Sequence, residues 1–333
     1  MKINKNIKII VNYFLGPVLF LWLSWSIYNQ IKNQPGLSQS WQHIKESFTS
    51  VQIVYLIAAV LLMFVHWGNE TQKWRLAVNK IQPISFKKAF KAVLAGVSVS
   101  VTTPNRVGEY FGRVLYINDG NRIKAISLTI VGSISQLTTT VFIGFVALVF
   151  LQKELISTGV LTEIWLKAIL YGTAIGAIIL TLFYFRLAWL VKIIDKLPAF
   201  KKYSWVIEAI EEFDATILLR FLSLSISRYC IFIIQYYLLF RLFGVDVTIW
   251  QTWLGVGVMF LVMAIIPTIA LFTDLGIRNE LSIKLMGIFS TNHLGISLTS
   301  ISVWLINLVI PAIIGSLLIL SIRNIIKNNN ESI

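Results

Sequence analysis

The chain has 333 residues, of which 56% are hydrophobic and only 13% charged, and its mean hydropathy is +0.76. A soluble domain of that composition would expose large apolar patches, so lipid is the solvent for most of it. The net charge of +14 has a membrane explanation in basic residues beside anionic headgroups and does not call for nucleic acid.

The apolar runs are unbroken rather than alternating, which predicts helices and not a barrel, since lipid leaves no other way to satisfy the backbone. Runs long enough to span occur at 9–28, 51–68, 125–151, 165–185, 217–242 and 297–320, given the roughly 20 residues a bilayer requires. The first run follows Lys2, Lys5 and Lys8 but has no small-residue cleavage site after it, so it reads as a retained helix. Two other apolar stretches do not fit a simple span. The first, 92–103, is short, and the second, 252–272, is broken by Pro267. They continue as GVSVSVTTPNRVGEYFGR (96–113) and GVMFLVMAIIPTIALFTDLGIRNE (257–280), each with an apolar segment, a proline, a polar stretch, then Gly and Glu. Both are expected to be re-entrant hairpins, because broken backbone at membrane depth occurs where it is buried in protein or lines a watery cavity.

The expected fold is therefore all-α and integral to the membrane, with about six full spans and two hairpins in an inverted-repeat arrangement. One membrane domain covers 1–333. Its first half is 1–186 with a hairpin at 92–113, an amphipathic connector follows at 187–216, and the second half is 217–323 with a hairpin at 252–290. With the N-terminus cytoplasmic, 21 of the 29 Lys and Arg residues fall inside, as basic loops should. Lys32, Lys45, Lys153, Lys167, Arg241, Arg278 and Lys284 fall outside, and Arg228 lies within a span. Making 252–272 a full span would move Arg323 and Lys327 outside, which fits the rule less well. The expected location is the inner, cytoplasmic cell membrane, crossed several times.

Cys230 lies inside an apolar run and reads as a small buried hydrophobe; one cysteine supports neither a disulfide framework nor a metal site. His43, His66 and His293 have no metal-ligand spacing. No cofactor, no metal and no catalytic residue is assigned.

Chemistry concentrates at the two hairpins. Arg106, Glu109 and Arg113 beside a broken helix are expensive in lipid unless paired or hydrated. Gly108 is expected to permit the turn, and a helix starting near it would aim free N–H groups at an anion. Arg106 and Arg113 are then suited to hold phosphate oxygens, with Glu109 neutralising an arginine or carrying a proton. The alternative is an ion-paired turn that only fixes the hairpin. Arg228 lies near the middle of 217–242 and requires a partner; Glu280 is the first candidate, then Asp274 and Glu109. A structural salt bridge explains Arg228 equally well. Asn69 and Glu70, just after the second run, are secondary candidates, since polar residues are common at helix ends.

At TTPNRVGEYFGR the chain resembles the lysylphosphatidylglycerol synthase transmembrane-domain, or flippase-like, family. The resemblance extends over nearly the whole chain. It includes Trp74 and Arg75, then Pro104, Arg106, Gly108, Glu109 and Arg113 in a P-x-R-x-G-E-x-x-x-R element. In the later unit Thr273 and Asp274 stand where small Pro and Gly residues are expected, while Gly276, Arg278 and Glu280 remain. Better-known members carry an aminoacyl-transferase domain after the membrane part and this chain ends at Ile333 without one, so the resemblance implies lipid translocation rather than lipid aminoacylation.

The leading expectation is a lipid flippase or transporter moving an anionic or aminoacylated phospholipid, a glycophospholipid or a polyprenyl-phosphate lipid between leaflets. The expected substrate site comprises Arg106, Gly108, Glu109, Arg113, Arg228, Asp274, Gly276, Arg278 and Glu280. Membrane lipids are the expected partners. The alternatives are an integral-membrane lipid-modifying enzyme, with Glu109 and Glu280 as acid and base, and a membrane partner of a separately encoded lipid-modifying enzyme. Homo-oligomerisation stays open.

Overall fold

The computed structural model describes residues 37–101, 103, 106–186, 215–266 and 271–319, together with 25, 28, 29, 32 and 33. Among these residues all regular structure is helical. The helices are α1 (Leu37–Thr49), α2 (Ile53–Val78), α3 (Phe86–Ser100), α4 (Gly108–Val114), α5 (Arg122–Ser157), α6 (Glu163–Phe185), α7 (Ala215–Leu242), α8 (Ile249–Ile265), α9 (Leu271–Met286) and α10 (His293–Trp304). A π-helical turn, Leu305–Val309, carries α10 on to Ile319.

Five of the expected spans appear as α2, α5, α6, α7 and the helix His293–Ile319, each long and apolar enough to cross a bilayer. The expected first span, 9–28, lies almost wholly outside the described residues, as do Pro104, Pro267 and the connector 187–216 except for 215 and 216, which begin α7. Large apolar side chains such as Leu61, Phe64, Phe142, Ile164, Tyr171, Ile178 and Leu182 stand exposed along these helices. In water they would be a solubility failure; in hydrocarbon they are the expected lipid-facing surface. Cys230 belongs to that surface. It is exposed on α7 and not buried as its apolar neighbours suggested, because an all-apolar run does not reveal which face points inward.

The chain forms two compact units, one of residues 1–63, 140–174 and 230–307, the other of residues 64–139, 175–229 and 308–333. In the second unit, α3 and α4 make a helical hairpin. The two helices approach so closely that a Cβ on Gly112 would sit 2.5 Å from the Ala95 carbonyl oxygen, and one on Gly96 would sit 2.8 Å from the Glu109 carbonyl oxygen. Small residues allow this contact in a medium where helix association depends on packing rather than on expulsion of water. Helix α3 starts at Ser85, whose hydroxyl accepts from the Lys88 N–H. The preceding turn is pinned by the Arg75 guanidinium donating to Ile84 O (3.1 Å) and by the Asn79 carboxamide accepting from Ile84 N (2.9 Å). A core of Ala77, Leu128, Val131, Tyr184, Leu218 and Phe221 ties α2, α5, α6 and α7 together within this unit. Tyr184 keeps its hydroxyl satisfied by donating to Leu218 O at 2.8 Å.

In the first unit, α8 and α9 form another helical hairpin. Ser282 donates to the Met259 sulfur at 3.1 Å, and Gly255 lies against Met286. Helix α8 begins with a capping box, Thr248 and Gln251 exchanging side-chain and backbone hydrogen bonds. Polar side chains pair across the interior: Asn279 donates to Ser297 (2.8 Å), Asn307 donates to Gln235 (3.0 Å), and Gln235 donates to the Ala59 carbonyl (2.8 Å). Asn307 sits in the π-helical turn, where the widened backbone turn accompanies its hydrogen bond to Val303 O.

Candidate functional site

The second unit gathers an unusual density of charge. Glu70 of α2 receives three cations on one carboxylate. Lys73, one turn along the same helix, lies 3.0 Å from Oε2, Arg228 of α7 lies 2.5 Å from Oε2, and Arg113 of α4 lies 2.8 Å from Oε1. Arg113 also holds Glu109, its i−4 neighbour on α4. Lys73, Glu70 and Arg113 are each at most 5% exposed, so these are ion pairs removed from solvent and not a solvated charge run.

Supporting contacts fix the members. Lys73 donates to Ser225 (3.4 Å), which shares a hydrogen bond with Ser135 of α5 (3.0 Å), and Asn69 donates to Ser227 (2.9 Å). Trp74 donates its indole N–H to Thr129 at 3.0 Å. The Arg228 guanidinium lies 5.6 Å from the Trp67 ring centroid, a cation–π distance, and His66 packs edge-on against the same ring. A small void lined by Glu70, Lys73, Trp74, Arg113, Thr129 and Gly132 encloses about 10 Å³, the lower limit for one water. The cluster is closed around its own carboxylates.

At their ordinary ionisation the three cations and two carboxylates leave one positive charge. Arg106 lies in the same unit. The Nε groups of Arg113 and Arg228 have no hydrogen-bond acceptor among the described residues. Such an arrangement suits a further anion with several acceptor oxygens.

Three expectations change here. Arg228 pairs with Glu70, and not with Glu280, Asp274 or Glu109. The hydropathy of the run ending at 68 hid this, because α2 continues as a helix to Val78 and carries Glu70 and Lys73 inward. The sharp backbone turn falls on Arg106, with φ of 57°, rather than on Gly108. Gly108 is required for another reason: a Cβ there would strike the Val99 carbonyl and the Thr103 hydroxyl. Finally, the Gly108 N–H at the start of α4 is already donated to Thr103 Oγ1 at 2.7 Å, so it is not a free donor aimed at a ligand.

The remaining expected site residues lie in the first unit. Asp274 pairs with Arg278 at 3.2 Å and Glu280 with Lys284 at 3.4 Å, both one turn apart on α9, and Gly276 is buried on the same helix. Arg106, Gly108, Glu109, Arg113 and Arg228 thus share a unit with one another, while Asp274, Gly276, Arg278 and Glu280 share the other. Glu70, only a secondary candidate in the sequence, is the centre of the cluster, and Lys73 is the member that sequence reasoning passed over. Their signal was the spacing of Trp67, Glu70, Trp74 and Ala77, which keeps one helical face in register beyond the end of the apolar run. Among the described residues no group of three or more His, Cys, Asp or Glu converges on a metal-sized site.

Five apolar helices of spanning length, and buried charge that is paired within the protein as lipid requires, define a multi-pass α-helical membrane protein. The family model of the lysylphosphatidylglycerol synthase TM region matches residues 10–315, and the chain belongs to that family. Its function is accordingly tied to membrane lipids. No curated protein matches the chain.

Proposed function

We infer that this protein moves an anionic phospholipid, or another lipid with a phosphate headgroup, between the leaflets of the cytoplasmic membrane. The observation that carries this reading is the convergence of Lys73, Arg113 and Arg228 on the single buried carboxylate of Glu70. A carboxylate in that position is the protein's own stand-in for a phosphate. It satisfies the cations while the site is closed, and it is displaced when a headgroup with more acceptor oxygens enters. Glu109 performs the same service for Arg113 from the hairpin. Because a single uncompensated buried charge is the unfavourable species, exchange of one anion for another is favoured over simple opening.

The hairpins α3–α4 and α8–α9 are the elements suited to re-enter the membrane, and their rearrangement relative to the long helices is the proposed access step. Asp274, Gly276, Arg278 and Glu280 lie on the second hairpin, in the other unit. The basic loops set the orientation, with the N-terminus cytoplasmic. The test is reconstitution into liposomes carrying a fluorescent phosphatidylglycerol in one arm and phosphatidylcholine in the other, with dithionite quenching to follow leaflet exchange. Exchange of the anionic lipid faster than in protein-free vesicles is expected; rates equal to protein-free vesicles for both lipids would refute the proposal.

A further inference from the structure

We propose that a second site, a groove lined by Leu76, Lys80, Thr216, Ile217 and Arg220, binds the phosphate of an anionic phospholipid at the membrane surface. The groove encloses about 340 Å³, within the range of small-molecule sites. It is therefore unlike the closed void beside Glu70. Its position is set by two candidate spans: Lys80 lies just past the end of α2 at Val78, and Thr216 is the second residue of α7. Ends of spans lie where headgroups lie.

The chemistry of the lining is asymmetric. Lys80 and Arg220 supply two positive charges, and among the described residues the lining contains no carboxylate and neither cation forms a salt bridge. Arg220 offers a planar fork for two phosphate oxygens and Lys80 a point charge for a third. The Thr216 hydroxyl is a further donor, and Leu76 and Ile217 give apolar contact to the glycerol end of the acyl chains. A free phosphate has no use for that apolar wall, so a lipid is the favoured occupant.

The same two helices carry both sites. Lys80 follows Lys73 by seven residues on the chain leaving α2, and Arg220 precedes Arg228 by eight on α7, which places the groove about 10 Å along the helices from the buried cluster. A lipid held in the groove is positioned next to the cations around Glu70. The binding claim itself depends on the membrane placement of the chain and not on translocation.

The test measures binding of short-chain phosphatidylglycerol to the purified full chain in neutral detergent by native mass spectrometry. Phosphatidylcholine and inorganic phosphate serve as separate probes. Lys80→Gln and Arg220→Gln are each expected to weaken phosphatidylglycerol binding about tenfold, the effect of losing one charge-assisted hydrogen bond. Lys87→Gln and Lys88→Gln, exposed on α3, leave it unchanged. Equal weakening by all four substitutions would show only a diffuse attraction to basic charge and overturn the proposal. So would unchanged binding in Lys80→Gln and Arg220→Gln, or inorganic phosphate binding as tightly as the lipid. Leaflet exchange is not read in this experiment, so its failure leaves the translocation proposal to its own test.

Discussion

Replacing Glu70 by glutamine removes one charge with almost no change of volume, and the structure fixes what that charge was doing. Its two oxygens accept from Lys73 at 3.0 Å, Arg228 at 2.5 Å and Arg113 at 2.8 Å. After the substitution three buried cations face Glu109 alone, and the excess charge of the cluster rises from one to two. Breaking a buried ion pair by deleting one partner costs about 3–5 kcal/mol, because the orphaned charge stays out of water. Glu70→Gln orphans more than one cation, so the upper part of that range is expected. The assay is thermal unfolding of the purified protein in mild detergent. Lys73→Met added to Glu70→Gln removes one of the stranded charges and should recover part of the loss, since coupled neighbours are not additive. A Glu70→Gln protein as stable as wild type would refute the reasoning, as would a double mutant whose loss equals the sum of the two single losses.

Three other predictions follow from the hairpins and the charge balance. Gly112→Val drives a side chain into the Ala95 carbonyl, and separation of α3 from α4 should lower stability by about 1–3 kcal/mol; unchanged thermal stability would contradict the close packing. Glu109→Gln should leave the protein folded, because Arg113 keeps Glu70, yet abolish lipid exchange in liposomes; wild-type exchange would reduce Glu109 to scaffold. Single cysteines at Thr291 and Asn292, between α9 and α10, in a Cys230→Ser background, should label from the extracytoplasmic side, as the distribution of basic loops requires, and labelling only from the cytoplasm would refute the inverted arrangement.

The sequence made the spans legible because apolar length is a strong signal in lipid. The runs at 125–151, 165–185 and 217–242 correspond to α5, α6 and α7 within a few residues. It was less informative wherever a helix continued past its apolar stretch. Hydropathy ended the second span at 68, although α2 runs to Val78, and that ten-residue error put Glu70 and Lys73 at a helix end instead of in the interior. The amphipathic helix α1 (Leu37–Thr49) had no long apolar run to announce it. Motif reasoning found Arg106, Glu109 and Arg113 from the local density of charge and glycine. It could not find the partner of Arg228, because the 158 residues separating Glu70 from Arg228 leave no local pattern. Gly108 was singled out correctly but for freedom of rotation, whereas its physical role is the absence of a side chain against Val99.

The most direct test of the central claim is the double mutant Glu70→Gln, Arg228→Met, measured for both stability and lipid exchange. Removing both members of the 2.5 Å pair leaves the charge balance of the cluster as it was, so the double mutant should be more stable than Glu70→Gln alone. If these residues form the translocation site, exchange of phosphatidylglycerol in liposomes falls to the protein-free rate even though the fold is retained. Wild-type exchange by a stable double mutant would show that the cluster only holds the helices together, and would contradict its assignment as the site for a lipid phosphate.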